Sequence, residues 1–370
     1  MSEQNSFPPK DPGLTRTIKD DFKKIKVKDD IGQEYKELKD YYLSEERKRK
    51  LESMVGCRKF FLIPWWLLKA LFFKLTPFRR ILLLIAIVSI LISSNNQVND
   101  ENININLLTP ALIGGLILIF ILALELKDKL LAKTELEEGK AIQQLLMPEQ
   151  SPKVPGWDIW LFTRSANDVG GDLLDFVQIE ENRFGIAVGD VAGKGLSAAL
   201  LMAKLQSTIR ALVYDAASLS SLGEKLNWIF HRDSPSKIFA SLLFAEIKSD
   251  FNDLKLINAG HYPPVIVRNN QVEQLQKNAP ALGLVKEAIF SEQHISLDKN
   301  DFVIIYSDGL TEAQNVTGEF FGEAKLIEML QNRQSFTSQQ LGEMIIANVD
   351  QFVKKVPAHD DLTLAVLKKV

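Results

Sequence analysis

The chain has 370 residues, 46% of them apolar and 25% charged, a balance that excludes a wholly disordered chain or a fibrous repeat and leaves room for two or three domains. Its single cysteine, Cys57, lies in a basic stretch with no histidine nearby, which excludes a disulfide framework and a Cys-rich metal cluster and argues against cysteine-based phosphatase chemistry. The net charge of −3 conceals an asymmetry: residues 47–80 carry ten Lys or Arg against one acid, Glu52, a local +9 that leaves −12 on the remainder, and a basic block beside apolar runs points to a membrane surface and away from nucleic acid.

Residues 1–59 form a polar and charged region. Pro8, Pro9 and Pro12 oppose early structure, and 31–51, with apolar positions at Tyr35, Leu38, Tyr42 and Leu43 among Glu, Lys and Arg, reads as a solvated helix. Residues 60–78 are aromatic and apolar but include Lys69 and Lys74. A lysine at the bilayer centre costs roughly 2.5–3.5 kcal/mol, whereas Trp65 and Trp66 suit the headgroup region, so an interfacial helix is predicted here. Two uncharged runs follow, at 81–94 and 107–124. Allowing for their flanks, they predict transmembrane helices at 79–96 and 107–125 with a short external loop at 97–106. Lys74, Arg79 and Arg80 before the pair, and Lys127, Lys129 and Lys133 after it, put both flanks on the cytoplasmic side. Two buried core helices would leave that charge placement unexplained, and two spans without an intramembrane charge make a poor transport pathway.

Residues 126–150 predict a linker helix. Its apolar positions at Leu126, Leu130, Leu131, Leu136, Ile142, Leu145 and Leu146 allow a homodimer, although Gly139 interrupts an imperfect heptad. From 151 to 370 the texture changes to short apolar runs broken by Gly, Asn and Asp. Strands are predicted at 159–163, 175–179, 184–189, 239–247, 254–258, 265–268, 302–306 and 362–367, and helices at 196–214, 219–231, 323–331 and 338–354. This is an α+β pattern, with sheets covered by helices.

The chemistry-bearing residues of this region fall in five motifs: Val169-Gly170-Gly171-Asp172 with Asp175 after it, Gly189-Asp190-Val191-Ala192-Gly193-Lys194-Gly195, Asn258-Ala259-Gly260-His261, Ser307-Asp308-Gly309-Leu310-Thr311-Glu312, and His359-Asp360-Asp361-Leu362-Thr363. Four of them put an Asp where an apolar strand starts or stops. Taken singly, a turn aspartate is the ordinary explanation. Converging carboxylates repel one another, and hard divalent cations relieve that repulsion through oxygen ligands. Few His and one Cys argue against zinc or copper. GDVAGKG is not a P-loop, because its glycines are one residue too close and Gly195 follows the lysine. GGD followed by Leu173-Leu174 does not fit a GGDEF-type cyclase.

In this order and spacing the five motifs resemble the SpoIIE-like branch of the PPM-type metal-dependent serine/threonine protein phosphatases, over about 141–370. Leu173 and Leu174 stand where the family often has aromatics, and Ser165 where proline is common. The resemblance implies an αββα sandwich, preceded here by the two-helix transmembrane hairpin, with two Mn²⁺ or Mg²⁺ ions at the sheet ends. It implies that Asp190 bridges both ions, that Asp172 and the Val191 carbonyl bind one, and that Asp308 and either Asp360 or Asp361 hold the other, Asp360 being preferred. Asp190 and Asp308 would act through a metal-activated water, with no phosphoenzyme. Arg164 and Lys194 are candidates for holding the phosphate; His261 and His359 read mainly as satisfied turn histidines. The helices at 196–231 would control the metal site. The resemblance further implies hydrolysis of phosphoserine or phosphothreonine on a cytoplasmic partner, such as a STAS-type anti-sigma-factor antagonist. The setting expected is the bacterial inner membrane with the catalytic domain in the cytoplasm. The rival is a catalytically silent phosphatase-fold scaffold, which would be expected to lack one of these acids.

Overall fold

The computed structural model describes residues 58–95 and 108–370, apart from 236–237, 250, 270, 277–278, 332 and 355. The helix expected at 31–51 and the loop expected at 97–106 lie outside these residues. The chain divides into two units, Met1–Lys129 and Leu130–Val370, the boundary falling within a single long helix.

In the first unit, α1 (Arg58–Lys74) and α2 (Pro77–Asn95) lie where helices are expected over 60–78 and 79–96, with the boundary a few residues earlier. The break falls at residues 75–76 because Pro77 has no N–H to donate and suits the first position of a new helix. Helix α3 (Leu108–Leu146) follows. Among the described residues, one helical stretch is long and apolar enough to cross a membrane, Pro110–Leu146. Its apolar side chains face outward: Leu116, Ile119 and Leu122 are 66%, 64% and 67% exposed. Helices α2 and the first part of α3 run antiparallel. Gly114 lies so close to α2 that a Cβ there would come within 2.8 Å of the Ala86 carbonyl oxygen, and at the other end Arg79 reaches both Glu125 and Asp128 at 2.6 Å.

The second unit is built on two five-stranded antiparallel sheets. One has the order β1 (Trp157–Arg164), β10 (Leu362–Lys369), β9 (Phe302–Tyr306), β6 (Val265–Arg268), β7 (Gln271–Gln274). The other has the order β2 (Asp172–Glu180), β3 (Arg183–Val191), β4 (Ala240–Lys248), β5 (Asp253–Ala259), β8 (Gln293–Ser296). The eight strands expected from the sequence are present; β7 and β8, both edge strands, are additional. Helices α4 (Leu196–Leu212), α5 (Leu219–Asp233), α7 (Glu323–Leu330) and α8 (Ser338–Val353) fall on the four helical patterns, and a single turn, α6 (Asp308–Thr311), lies between them.

Side chains alternate across each strand, so each sheet contributes to two cores. Leu173 and Ala187 pack under Met202, Leu205 and Ile209 of α4 and Leu222 and Leu226 of α5. Their neighbours Leu174, Ile186 and Val188 face the other sheet and meet Ile159, Leu161, Ile305, Ala365 and Leu367. On the far side, Trp160, Ile304, Leu364 and Val366 pack against Leu326 of α7 and Leu341 and Ile345 of α8. The result is the expected helix–sheet–sheet–helix sandwich. Helix α8 approaches β1 so closely that a Cβ on Gly342 would overlap the Trp160 indole. Gly342→Ala should therefore destabilise the second unit by about 1–3 kcal/mol through overpacking, read as a lower urea midpoint at unchanged m-value.

Candidate metal centre at the sheet ends

Five strand termini meet at one end of the sandwich. Strands β2 and β3 pair in a register that sets Asp172 directly across from Asp190, and β4 sets Ser241 on the other side of Asp190. In the second sheet, β9 ends one residue before Ser307-Asp308, and β10 begins one residue after Asp360-Asp361. The two ends are joined: the Ser307 backbone N–H donates to the Thr363 carbonyl at 3.0 Å, the Thr363 N–H donates to Ser307 Oγ at 2.9 Å and the Ser307 hydroxyl donates to the Asp361 carbonyl at 3.1 Å. Gly309 is required there because a Cβ would overlap the Asp361 carbonyl.

The two adjacent aspartates of the last motif have different surroundings. Asp361 is 5% exposed, and its carboxylate accepts N–H groups from Ala166 at 2.7 Å, Gly171 at 2.6 Å and Asp172 at 3.4 Å. It stitches the loop between β1 and β2 to the start of β10. Asp360 is exposed, and one of its oxygens lies 3.1 Å from Lys194 Nζ. Asp172 is buried, and Thr363 donates its hydroxyl to the Asp172 carboxylate at 2.5 Å. Asp175, in the same motif, is removed from this end: it is 1% exposed and accepts a bidentate pair of bonds from Arg210 of α4, at 2.9 and 2.7 Å.

The acids share a repulsive field. Burial first, then the charges of Asp308, Asp360 and Asp361, pushes the Asp190 carboxyl up to about 7, with Lys194 opposing. Burial, then Asp360 and Glu312, pushes Asp308 up to about 6. Burial holds Asp172 well above the usual carboxylate range despite the Thr363 hydrogen bond, and Asp190 and Asp361 add to the effect. Among the described residues, no three His, Cys, Asp or Glu side chains already form a metal-holding group. The donor set nonetheless fits a hard divalent ion: it is all oxygen, and the repulsion that lifts Asp190 and Asp308 is what such an ion would relieve.

Of the phosphate candidates, Arg164 is held by Asp350 at 2.6 and 3.2 Å, and Lys194 stands beside Asp360. Both line a cavity of about 560 Å³ with Gly309, Glu312, Lys354 and Asp360. His359 contributes its carbonyl to Lys194 at 2.7 Å. His261 is buried, its Nδ1 lying 2.9 Å from the Ser241 hydroxyl, which itself accepts the Asp190 backbone N–H at 3.2 Å. Ser241 and Thr363 were not assigned roles from the sequence. Thr363 lies within a motif, but Ser241 is visible only through strand register.

The end of α3 also reaches this region. Gln143 exchanges two hydrogen bonds with Gly170, donating to its carbonyl at 2.8 Å and accepting its N–H at 3.0 Å. Gln206 of α4 donates to the Leu146 carbonyl at 2.8 Å.

Because the folded chain holds Asp190 and Asp308 protonated to higher pH than the unfolded chain does, folding takes up protons between about pH 4 and 7. Without metal, stability should be greatest at the acid end of that window and fall as pH rises through it. Asp308→Asn should raise the melting temperature of the chelator-treated protein by a few degrees at pH 8 and leave it nearly unchanged at pH 5. Equal shifts at both values would contradict the assigned repulsion.

Comparison with known proteins agrees with this architecture. The family described as Stage II sporulation protein E (SpoIIE) matches residues 180–370. Protein IcfG of Synechocystis sp. is 28% identical over 275 residues, which are 66% of this chain and 43% of that protein. Phosphoserine phosphatase RsbU of Bacillus subtilis is 26% identical over 239 residues, 64% of this chain and 70% of RsbU. The chain thus spans less than half the length of IcfG. In fold, the SiaA-PP2C domain of Pseudomonas aeruginosa superposes with a TM-score of 0.57 at 16% identity, covering 65% of this chain and 98% of that domain. The sandwich and the profile match over more than half of its length show that the chain belongs to the SpoIIE family.

Proposed function

We propose that the chain is a metal-dependent protein phosphatase acting on phosphoserine or phosphothreonine of a cytoplasmic partner. The observation that carries this reading is the convergence of Asp190, Asp308 and Asp360 from strand ends of both sheets, where burial first and then the neighbouring acids raise the first two. Asp190 would be shared between two Mn²⁺ or Mg²⁺ ions, Asp172 and the Val191 carbonyl would complete one side, and Asp308 and Asp360 the other. Asp361 is the weaker ligand candidate, since both its oxygens already accept backbone N–H groups. When bound, the ions would supply an acidified water and Lewis acidity toward the phosphoryl group. The protein's part is positional. Ser241 and His261 hold the backbone at Asp190, Thr363 orients the Asp172 carboxylate, and Ser307 aligns the strand ends that carry Asp308 and Asp360. By analogy with RsbU, named as a phosphoserine phosphatase, the substrate would be a phosphorylated signalling protein, with a STAS-type anti-sigma-factor antagonist as the leading candidate.

We further propose that α2 and the apolar part of α3 form a hairpin in the bacterial inner membrane, with both termini cytoplasmic. The outward apolar face of α3 and the Arg79 pairing with Glu125 and Asp128 support that reading. The remainder of α3 would pass a signal to the site, because Gln143 bonds the loop before Asp172 and Gln206 ties α4 to the helix end. A homodimer through this helix would be one way to deliver it.

With Mn²⁺ present, the full chain in detergent should release phosphate from a phosphoserine protein. Chelator should abolish turnover, and Asp190→Asn should lower it by roughly 100-fold or more, the scale seen when charge stabilisation at a reacting centre is lost. Turnover that survives chelator would overturn the mechanism. Gln143→Ala should reduce kcat roughly 10-fold, as loss of a supporting hydrogen bond around a metal site commonly does, with little change in melting temperature; an unaltered kcat would remove the linker from the reading. Alkaline carbonate should leave the full chain in the membrane pellet but release a fragment beginning at Leu130.

A further inference from the structure

Lys194 occupies an unusual place in its motif. It is flanked by Gly193 (φ 131°) and Gly195 (φ 69°), conformations that L side chains rarely adopt. The turn they make carries the chain from the end of β3 into α4 and leaves the Lys194 side chain 61% exposed. Its ammonium does not return to β3. It reaches the segment before β10, where it donates to the His359 carbonyl at 2.7 Å and lies 3.1 Å from an Asp360 oxygen. Its charge is felt at the centre as well, lowering the pKa values of both Asp190 and Asp308 against the repulsion of the other acids. The same side chain lines the 560 Å³ cavity that opens beside Gly309 and Asp360.

Two facts separate it from Arg164, which lines the same cavity. The Arg164 guanidinium is engaged by both oxygens of Asp350, a planar bidentate pairing that resists rearrangement. Lys194 is a compact charge on a four-carbon stem that can redirect its three donors without moving the backbone; both pairs are exposed, but its contact with Asp360 is through a single oxygen and so weakly held.

We propose that Lys194 is an exchangeable counter-ion that becomes the phosphate ligand. In the metal-free chain its ammonium neutralises Asp360. A divalent cation that takes the Asp360 carboxylate displaces the ammonium, which then turns into the adjoining cavity and binds the phosphate dianion of the substrate or product. One residue therefore opposes metal binding and favours phosphate binding, and the site gains its phosphate-holding cation only once the metal is in place. The inference rests on the phosphatase reading for its ligand, but not for its metal-exchange half.

The experiment uses the full chain in detergent, with Mn²⁺ alone and inorganic phosphate as probes and equilibrium binding as the readout. Lys194→Gln should bind Mn²⁺ several-fold more tightly than the wild type, because a competing cation has been removed. The Mn²⁺-loaded variant should bind inorganic phosphate roughly tenfold more weakly. Lys194→Arg should retain phosphate binding. Unchanged or weaker Mn²⁺ binding by Lys194→Gln would overturn the counter-ion role, and unchanged phosphate affinity would overturn the ligand role. Both shifts appearing in a protein that turns over no phosphoprotein would refute the phosphatase reading while supporting the exchange.

Discussion

The arrangement of the site depends on a buried carboxylate that is already fully engaged. Asp361 collects the N–H groups of Ala166, Gly171 and Asp172, while its own carbonyl accepts the Ser307 hydroxyl. Three segments remote in sequence, the β1–β2 loop, the end of β9 and the start of β10, are thereby held together. A carboxyl group at 5% exposure is tolerable because the backbone N–H groups it accepts replace its lost hydration. Gly170 and Gly171 belong to the same device: a Cβ on Gly170 would lie 2.7 Å from the Asp361 carboxylate, so the loop could not approach closely enough to donate.

On that frame the remaining acids are held in an unfavourable arrangement. Asp172 and Asp190 face each other across a β-pair, and Asp308 and Asp360 close the same end from the second sheet. Burial and mutual repulsion together make this arrangement costly, and functional regions commonly depart from the local optimum in this way. Asp175 shows the contrasting solution. Its burial is compensated entirely within the protein by Arg210, which fastens α4, the helix leaving the Lys194 turn, onto β2. The glutamines at 143 and 206 extend the connection to the end of α3. The loop before Asp172 and the helix following Asp190 are thus both bonded to the end of α3.

The covering helices were legible because their apolar positions keep the helical period, and the central strands because they are short, unbroken apolar runs bounded by turn residues, as in Phe302–Tyr306, where all five positions are buried. The edge strands β7 and β8 were not. Gln271–Gln274 and Gln293–Ser296 carry polar side chains along most of their length, as edge strands do when they must not recruit further strands, so they resemble loop. The break between α1 and α2 lies at residues 75–76, three residues before the boundary expected at 78–79, because aromatic and aliphatic residues run through it without a change of texture and only Pro77 marks it. Within the motifs, Asp172, Asp190, Asp308 and Asp360 stood out as acids at the ends of apolar strands.

What the sequence determined by itself was the architecture of covered sheets, the family resemblance and the set of acids at strand termini, because these follow from local periodicity and residue chemistry. The tertiary structure decided the rest. It separated Asp360 from Asp361, assigned Asp175 to Arg210, brought Ser241 and His261 behind Asp190, and turned Lys194 toward Asp360. Each of these depends on which strand lies beside which and in what register, and a one-residue slip in pairing would move every such side chain to the opposite face. Partners 195 residues apart in sequence, as Ala166 and Asp361 are, meet because β1 and β10 lie side by side.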